Sequence, residues 1–249
     1  MIRLQGLSVA FGGVRALDDV TMDIPDHIVF GLVGPNGSGK STLLNALSGV
    51  VSAEGVVELD GQPLRLGRPR DAWRCGIART FQTPQSYGEL TCIENVLLAM
   101  TNRRLTGLTG SWLRRRAMVH LDRSRWEQAY DALRLVGLEH AAHHAASSLS
   151  YGRRRFLEMA RVIAMEPAIV LLDEPAAGLN DPETKQLLQL IKDTCERGST
   201  IVVVEHKIDF LNVVCDDLAV LNQGRIIARG KPSDVWNDPV VASAYLGLV

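Results

Sequence analysis

The apolar run Ile28-Val29-Phe30-Gly31-Leu32-Val33 leads straight into Gly34-Pro35-Asn36-Gly37-Ser38-Gly39-Lys40-Ser41-Thr42, which fits the pattern G-x-x-x-x-G-K-[ST]. A buried strand, a glycine-rich loop and a helix in that order restrict the chain to an α/β architecture. Its loop N–H groups converge on one concavity at the positive end of a helix. Gly34, Gly37 and Gly39 let the backbone curl that tightly. Such a concavity suits phosphate. Gly34 to Thr42 are the expected binding residues, with Lys40 reaching the β- and γ-phosphates and the Ser41 hydroxyl binding Mg²⁺. The bland alternative is a glycine-rich turn with an ordinary surface lysine, and the strand before and helix after it speak against that.

The rest of the chain alternates in the same sense. Strands are expected at 2–11, 20–24, 56–59, 77–80, 168–172, 200–204, 218–221 and 225–228. Helices are expected from Thr91 and Glu94 to Met100, over 113–136, from Ser150 or Gly152 to Met165, from Asp181-Pro182-Glu183 onward and over 207–214. Strands separated by helices imply a mainly parallel sheet covered on both faces. The first three strands add an antiparallel edge beside the loop strand, and the strandless stretch from about 92 to 148 reads as a helical subdomain.

Composition limits the function classes. The 249 residues carry 27 Lys+Arg against 28 Asp+Glu, so no overall field recruits nucleic acid or acidic lipid. Cys75, Cys92, Cys195 and Cys215 are dispersed, which indicates neither a zinc site nor a disulfide framework and fits a reducing cytosol. The start of the chain lacks a signal-peptide pattern, and charge or proline interrupts every apolar run too early for a membrane span. Arg103, Arg104 and Arg114 to Arg116 read as a solvated helical face beside a membrane subunit. His140, His143 and His144 read as a solvated loop rather than a metal site.

A phosphate loop alone does not choose a reaction. Its companions do. The strand Ile169-Val170-Leu171-Leu172 ends in Asp173-Glu174, placing one carboxylate to hold Mg²⁺ near the phosphates and a second to orient a water and take its proton. Leu149-Ser150-Tyr151-Gly152 opens a helix, and Ser150 Oγ with the N–H groups there offers a second anion site.

At this point the chain resembles the nucleotide-binding subunit of ABC transporters over almost its whole length. The resemblance implies an ABC-type P-loop ATPase with a mainly parallel core sheet, an antiparallel β edge and a helical subdomain, residues 1–249 forming one nucleotide-binding domain. It implies that two such subunits pair head to tail, each ATP lying between one P-loop and the other subunit's Ser150–Gly152 motif. By the same likeness Phe11 stacks on adenine, Gln82 ligates Mg²⁺ and signals to the membrane partner, and His206 hydrogen-bonds the γ-phosphate and positions Glu174. Residues 177–180 match the loop that reports across the dimer. Catalysis then falls to Glu174, His206 and Lys40, and metal binding to Ser41, Gln82 and Asp173.

Phe11-Gly12-Gly13-Val14, Leu149-Ser150-Tyr151-Gly152, Glu174 to Asn180 and the tail from Asp238 to Gly247 are similar to ATP-binding subunits of branched-chain amino acid uptake systems. The implied partners are integral membrane permeases, a second ATP-binding subunit and, indirectly, a substrate-binding protein, with no nucleic acid. The implied location is the inner face of the cell membrane. Importers of urea, amides or aromatic acids share the pattern, and a soluble ABC-type protein acting on nucleic acid or ribosomes is the rival from another class. The sequence departs from the family at Tyr151, Arg153, Lys207 and the shifted Pro182.

Overall fold

A computed structural model describes residues 1–81, 83–100 and 115–246, so Gln82, Arg103, Arg104 and Arg114 lie outside the described residues. The chain divides into two compact units. The first takes Met1–Gln82, Pro167–Ala177 and Ile191–Val249, and the second takes Thr83–Glu166 and Gly178–Leu190.

The first unit is built on two sheets. Strands β1 (Ile2–Phe11), β2 (Val14–Ile24), β4 (Glu54–Leu59) and β5 (Gln62–Pro63) form an antiparallel sheet of order β2-β1-β4-β5. Strands β3 (Val29–Val33), β6 (Ile77–Arg79), β7 (Ile169–Asp173), β8 (Thr200–Val204), β9 (Asp217–Asn222) and β10 (Arg225–Gly230) form a second sheet of order β10-β9-β3-β8-β7-β6. Every pair in it is parallel except the β9–β10 hairpin. The antiparallel strands therefore make a sheet of their own, and β3 has parallel neighbours on both sides.

Strand β2 starts six residues earlier than the apolar pattern suggests, because Gly12 (φ 52°) and Gly13 (φ 91°) close a tight hairpin that pairs Phe11 with Val14. Its early half, exposed at Val14 and Arg15, intermediate at Ala16 and Asp18 and buried at Leu17, carries no clean period-2 signal.

Between the sheets lies one apolar core. Leu4, Leu7, Leu17 and Ile24 come from the antiparallel sheet, Phe30, Leu32, Leu171 and Val202 from the parallel one, and Leu43, Leu44 and Leu47 from helix α1 (Lys40–Leu47). Continuous apolar runs such as Val29–Val33 and Thr200–Val204 are buried at every residue, as expected of parallel strands covered on both faces. Short helices α2 (Pro69–Arg74), α7 (Ile208–Val214), α8 (Pro232–Trp236) and α9 (Pro239–Leu246) complete this unit.

The second unit is helical. Helices α3 (Cys92–Met100), α4 (Arg115–Leu135) and α5 (Tyr151–Ile163) pack on one another, and it includes the start of α6 (Asp181–Glu196). The stretch 92–148 lies inside it. Thr91 and Glu94 form the capping box that opens α3: Glu94 N donates to Thr91 Oγ1 at 3.3 Å, and Thr91 N donates to Glu94 Oε2 at 2.8 Å. No helix among the described residues is long and apolar enough to cross a membrane.

Candidate functional site

The parallel register brings the ends of four strands together. Strand β3 ends in the glycine loop, β7 in Asp173-Glu174, β8 in Glu205-His206, and β6 in Thr80-Phe81. All four point the same way, so their C-terminal ends form one edge, the place where open α/β sheets bind ligands.

At that edge the glycine loop is held by backbone. Ser38 N donates to Pro35 O at 3.2 Å, and Gly224 N donates to Ser38 O at 2.9 Å. Gly39 caps α1 at φ 108°, and a Cβ there would lie 2.3 Å from Ala16 O. Gly34 sits at φ 149°, where a Cβ would lie 1.9 Å from Leu221 O. Both glycines are thus fixed by positive φ and by neighbouring backbone. Asn36 and Gly37 are exposed, Pro35 and Thr42 half-buried, and Ser41 exposed at the first turn of α1.

Lys40 folds back over the loop and donates from Nζ to Gly34 O at 2.8 Å and Pro35 O at 2.9 Å. Burial pushes its pKa down, and the charges of Glu174 and Asp173 pull it back up. An anion in the loop would offer the ammonium a stronger partner than two neutral carbonyls.

Glu174 adopts φ 47°, a left-handed conformation unfavourable for a residue with a side chain. Its N–H is tied to Val204 O at 2.9 Å, its carbonyl accepts from Ala177 N at 3.1 Å, and His206 Nε2 lies 2.9 Å from its Oε1. The carboxylate is partly exposed, open to water yet oriented by the imidazole. Buried Glu205 braces both neighbouring loops, accepting from Ala176 N at 2.8 Å and from His206 N at 3.0 Å. Lys207, unusual beside the histidine, donates to Ala176 O at 3.3 Å.

Asp173 is buried, with Oδ2 accepting from Arg79 Nη2 at 3.0 Å, while Oδ1 has no hydrogen-bond partner. Ser38 Oγ is likewise buried and unsatisfied. An orphaned hard oxygen beside a phosphate-type loop and a hydroxyl fits Mg²⁺, which is commonly held by one or two carboxylates together with substrate phosphates and water. Asp173 and Ser41 are the described residues that would hold it.

Phe11 is half-exposed, at 51%, on the β1–β2 hairpin, free to offer a ring face. The other anion-type site lies in the second unit. Ser150 caps α5, its Oγ accepting from Arg153 N at 3.3 Å. Gly152 packs so closely on the Glu183 carboxyl that a Cβ would lie 2.2 Å from Oε1, and the Tyr151 ring lies against Gly178. Exposed His140 contacts Arg153 at 3.1 Å, and no metal-type cluster of His, Cys, Asp and Glu occurs among the described residues.

Two residues of this site went unassigned by pattern alone. Arg79 lies in the expected strand 77–80 without a role, although a charged residue in the buried strand Ile77–Arg79 requires a buried counter-charge. Glu205 has no role in the sequence reading, although an acid directly after the buried strand Thr200–Val204 carries the same signal.

A family model described as "ABC transporter" matches residues 17–177. The chain is 36% identical over 249 residues to the high-affinity branched-chain amino acid transport ATP-binding protein LivG of Escherichia coli (strain K12), covering 99% of this chain and 98% of that one. A nucleotide-free ATP-binding cassette from an ABC transporter superposes with TM-score 0.84 at 29% identity, covering 98% of each chain. A dimeric post-hydrolysis ATP-binding cassette bound to ADP and Pi matches with TM-score 0.77 at 26% identity, covering 93% of this chain and 99% of that one.

Proposed function

Since the chain belongs to the ABC transporter family and is its ATPase subunit, we propose that it drives an importer of branched-chain or related amino acids by binding and hydrolysing ATP against membrane permease subunits. The carrying observation is the Glu174 carboxylate, held in a left-handed backbone 2.9 Å from His206, on the strand edge that also carries Asp173 and Lys40. The cargo rests on likeness to LivG alone, since nothing in the motor need touch the transported molecule.

In this reading the loop N–H groups and Lys40 hold the β- and γ-phosphates and offset the charge that develops on the transferring phosphoryl group. Mg²⁺, when bound, supplies further charge neutralisation there. Glu174 orients the attacking water and accepts its proton. His206 keeps that carboxylate in place and, with the γ-phosphate present, turns its ring N–H to it. Ser150 and the N–H groups near Gly152 from a second motor, either this chain or a homologue, complete the grip on the triphosphate. Gln82 passes the change to the permease. The reading places the protein on the inner face of the membrane, held there by its partners.

Glu174→Gln keeps the shape and removes the base. It is expected to bind ATP within about threefold of the native protein, to lose at least about 100-fold in kcat, and to accumulate as an ATP-dependent dimer in light scattering. Near-native turnover by that variant would overturn the assignment. Uptake of labelled leucine, urea, amides and aromatic amino acids by cells carrying the neighbouring permease genes identifies the cargo.

A further inference from the structure

The buried ion pair at the base of the site is not arranged like a simple structural salt bridge. Arg79 and Asp173 side chains are 8% and 6% exposed, yet they share a single contact, Nη2 to Oδ2 at 3.0 Å. Asp173 Oδ1 and Arg79 Nε are both buried without hydrogen-bond partners. A pair optimised for mutual stabilisation would close the second, parallel bond of the guanidinium–carboxylate fork. Here the guanidinium is fixed by other groups: Nη1 donates to Asn45 Oδ1 at 2.6 Å and to Ser48 Oγ at 3.1 Å, both on or just beyond α1, and the Phe81 ring centroid lies 5.2 Å away. Ser48 Oγ accepts this bond while donating its own hydrogen to Leu44 O at 2.7 Å. Arg79 is thus anchored to the helix behind the phosphate loop, independently of the carboxylate it neutralises.

We infer that Arg79 is the counter-ion of Asp173 in the cation-free protein, so that the site refuses a free divalent cation and takes one only when nucleotide phosphates bring compensating negative charge. This rests on the reading of Asp173 as the Mg²⁺ carboxylate. The charges support it: Lys40 and Arg79 balance Asp173 and Glu174, while the one further buried carboxylate at this edge among the described residues, Glu205, is taken up by the N–H groups of Ala176 and His206. A lone dication added there meets a nearby guanidinium with no anion left over, whereas a dication arriving on a triphosphate brings its own counter-charge. The free Oδ1 leaves the coordinating direction open throughout. A motor so built does not trap cytosolic divalent ions between cycles, and Arg79 acts as a positioning residue rather than a catalytic one.

Binding of Mn²⁺, read by electron paramagnetic resonance as loss of the free-ion signal, tests this without relying on turnover. The native protein is expected to bind Mn²⁺ tightly with a nonhydrolysable ATP analogue and at least about tenfold more weakly without it. Arg79→Gln, nucleotide-free, should bind Mn²⁺ at least about tenfold tighter than the native protein. That gain should vanish in Arg79→Gln combined with Asp173→Asn, and should be absent in Arg79→Lys, which keeps the charge. No gain in Arg79→Gln, or a gain that survives Asp173→Asn, overturns the inference. So does a nucleotide-free native protein that binds Mn²⁺ through Asp173 as tightly as the analogue complex does; this comparison needs only native protein and Asp173→Asn and decides the matter even if Arg79→Gln does not fold. Failure of the parent reading looks different, because Asp173→Asn would then leave Mn²⁺ binding to the analogue complex, read against the analogue alone, unchanged.

Discussion

Glu174 stands in a backbone conformation that costs about 1–2 kcal/mol for a residue with a Cβ. The strain persists because its N–H is bonded to Val204 and its carboxylate to His206, so two elements fix one side chain. His206 is therefore expected to matter for turnover more than for binding. His206→Ala should lower kcat by about 100-fold while changing nucleotide affinity by less than about threefold, measured by steady-state hydrolysis beside equilibrium binding of a fluorescent nucleotide. Glu174 was legible as the second acid after an apolar strand, whereas His206 was named only through the family resemblance. Their separation of 2.9 Å was not legible, since they stand 32 positions apart and only the register of β7 on β8 brings them together.

Helix starts were the most readable elements, because a cap is a bargain between residues three apart. Thr91 with Glu94 and Asn180 with Glu183 each form reciprocal bonds: Glu183 N donates to Asn180 Oδ1 at 2.9 Å, and Asn180 N donates to Glu183 Oε2 at 3.1 Å. Thr91 hydroxyl and backbone donors hold the Glu94 carboxyl below its ordinary pKa of 4.5. A depressed folded pKa means that this cap's contribution is fully present above the ordinary value and is lost as pH falls through the lowered folded one. Amide exchange over the first turn of α3 should accordingly lose protection as pH falls below the ordinary carboxylate value of 4.5, and Glu94→Gln should remove that pH dependence; an unchanged profile in the variant would sink the assignment. What the cap pattern did not reveal is a second use of Glu183, whose carboxyl also lies against Gly152 at the start of α5. Elements 30 residues apart meet there because the chain leaves the second unit after α5 and returns to it at Gly178.

Across the whole molecule, α1 carries the phosphate loop at one end and buries Leu43, Leu44 and Leu47 in the core shared by both sheets. Leu44→Ala should cost about 3 kcal/mol, seen as a lower denaturation midpoint with an unchanged slope. ADP at about 100 times its Kd should restore about 2.7 kcal/mol if the loop still closes on nucleotide, and no restoration would show that core and loop fail together. The sequence by itself determined the glycine loop, the strand endings, the helix caps and the alternation of strand and helix, because each depends on backbone freedom, hydrogen bonding or periodicity over a few neighbouring residues. Tertiary structure alone decided that the antiparallel strands form a separate sheet, that Gly34 is pressed on Leu221, and that Arg79 neutralises Asp173. Those pairings join residues far apart in the chain, and burial in a shared core, which no short window of sequence contains, is what selects them.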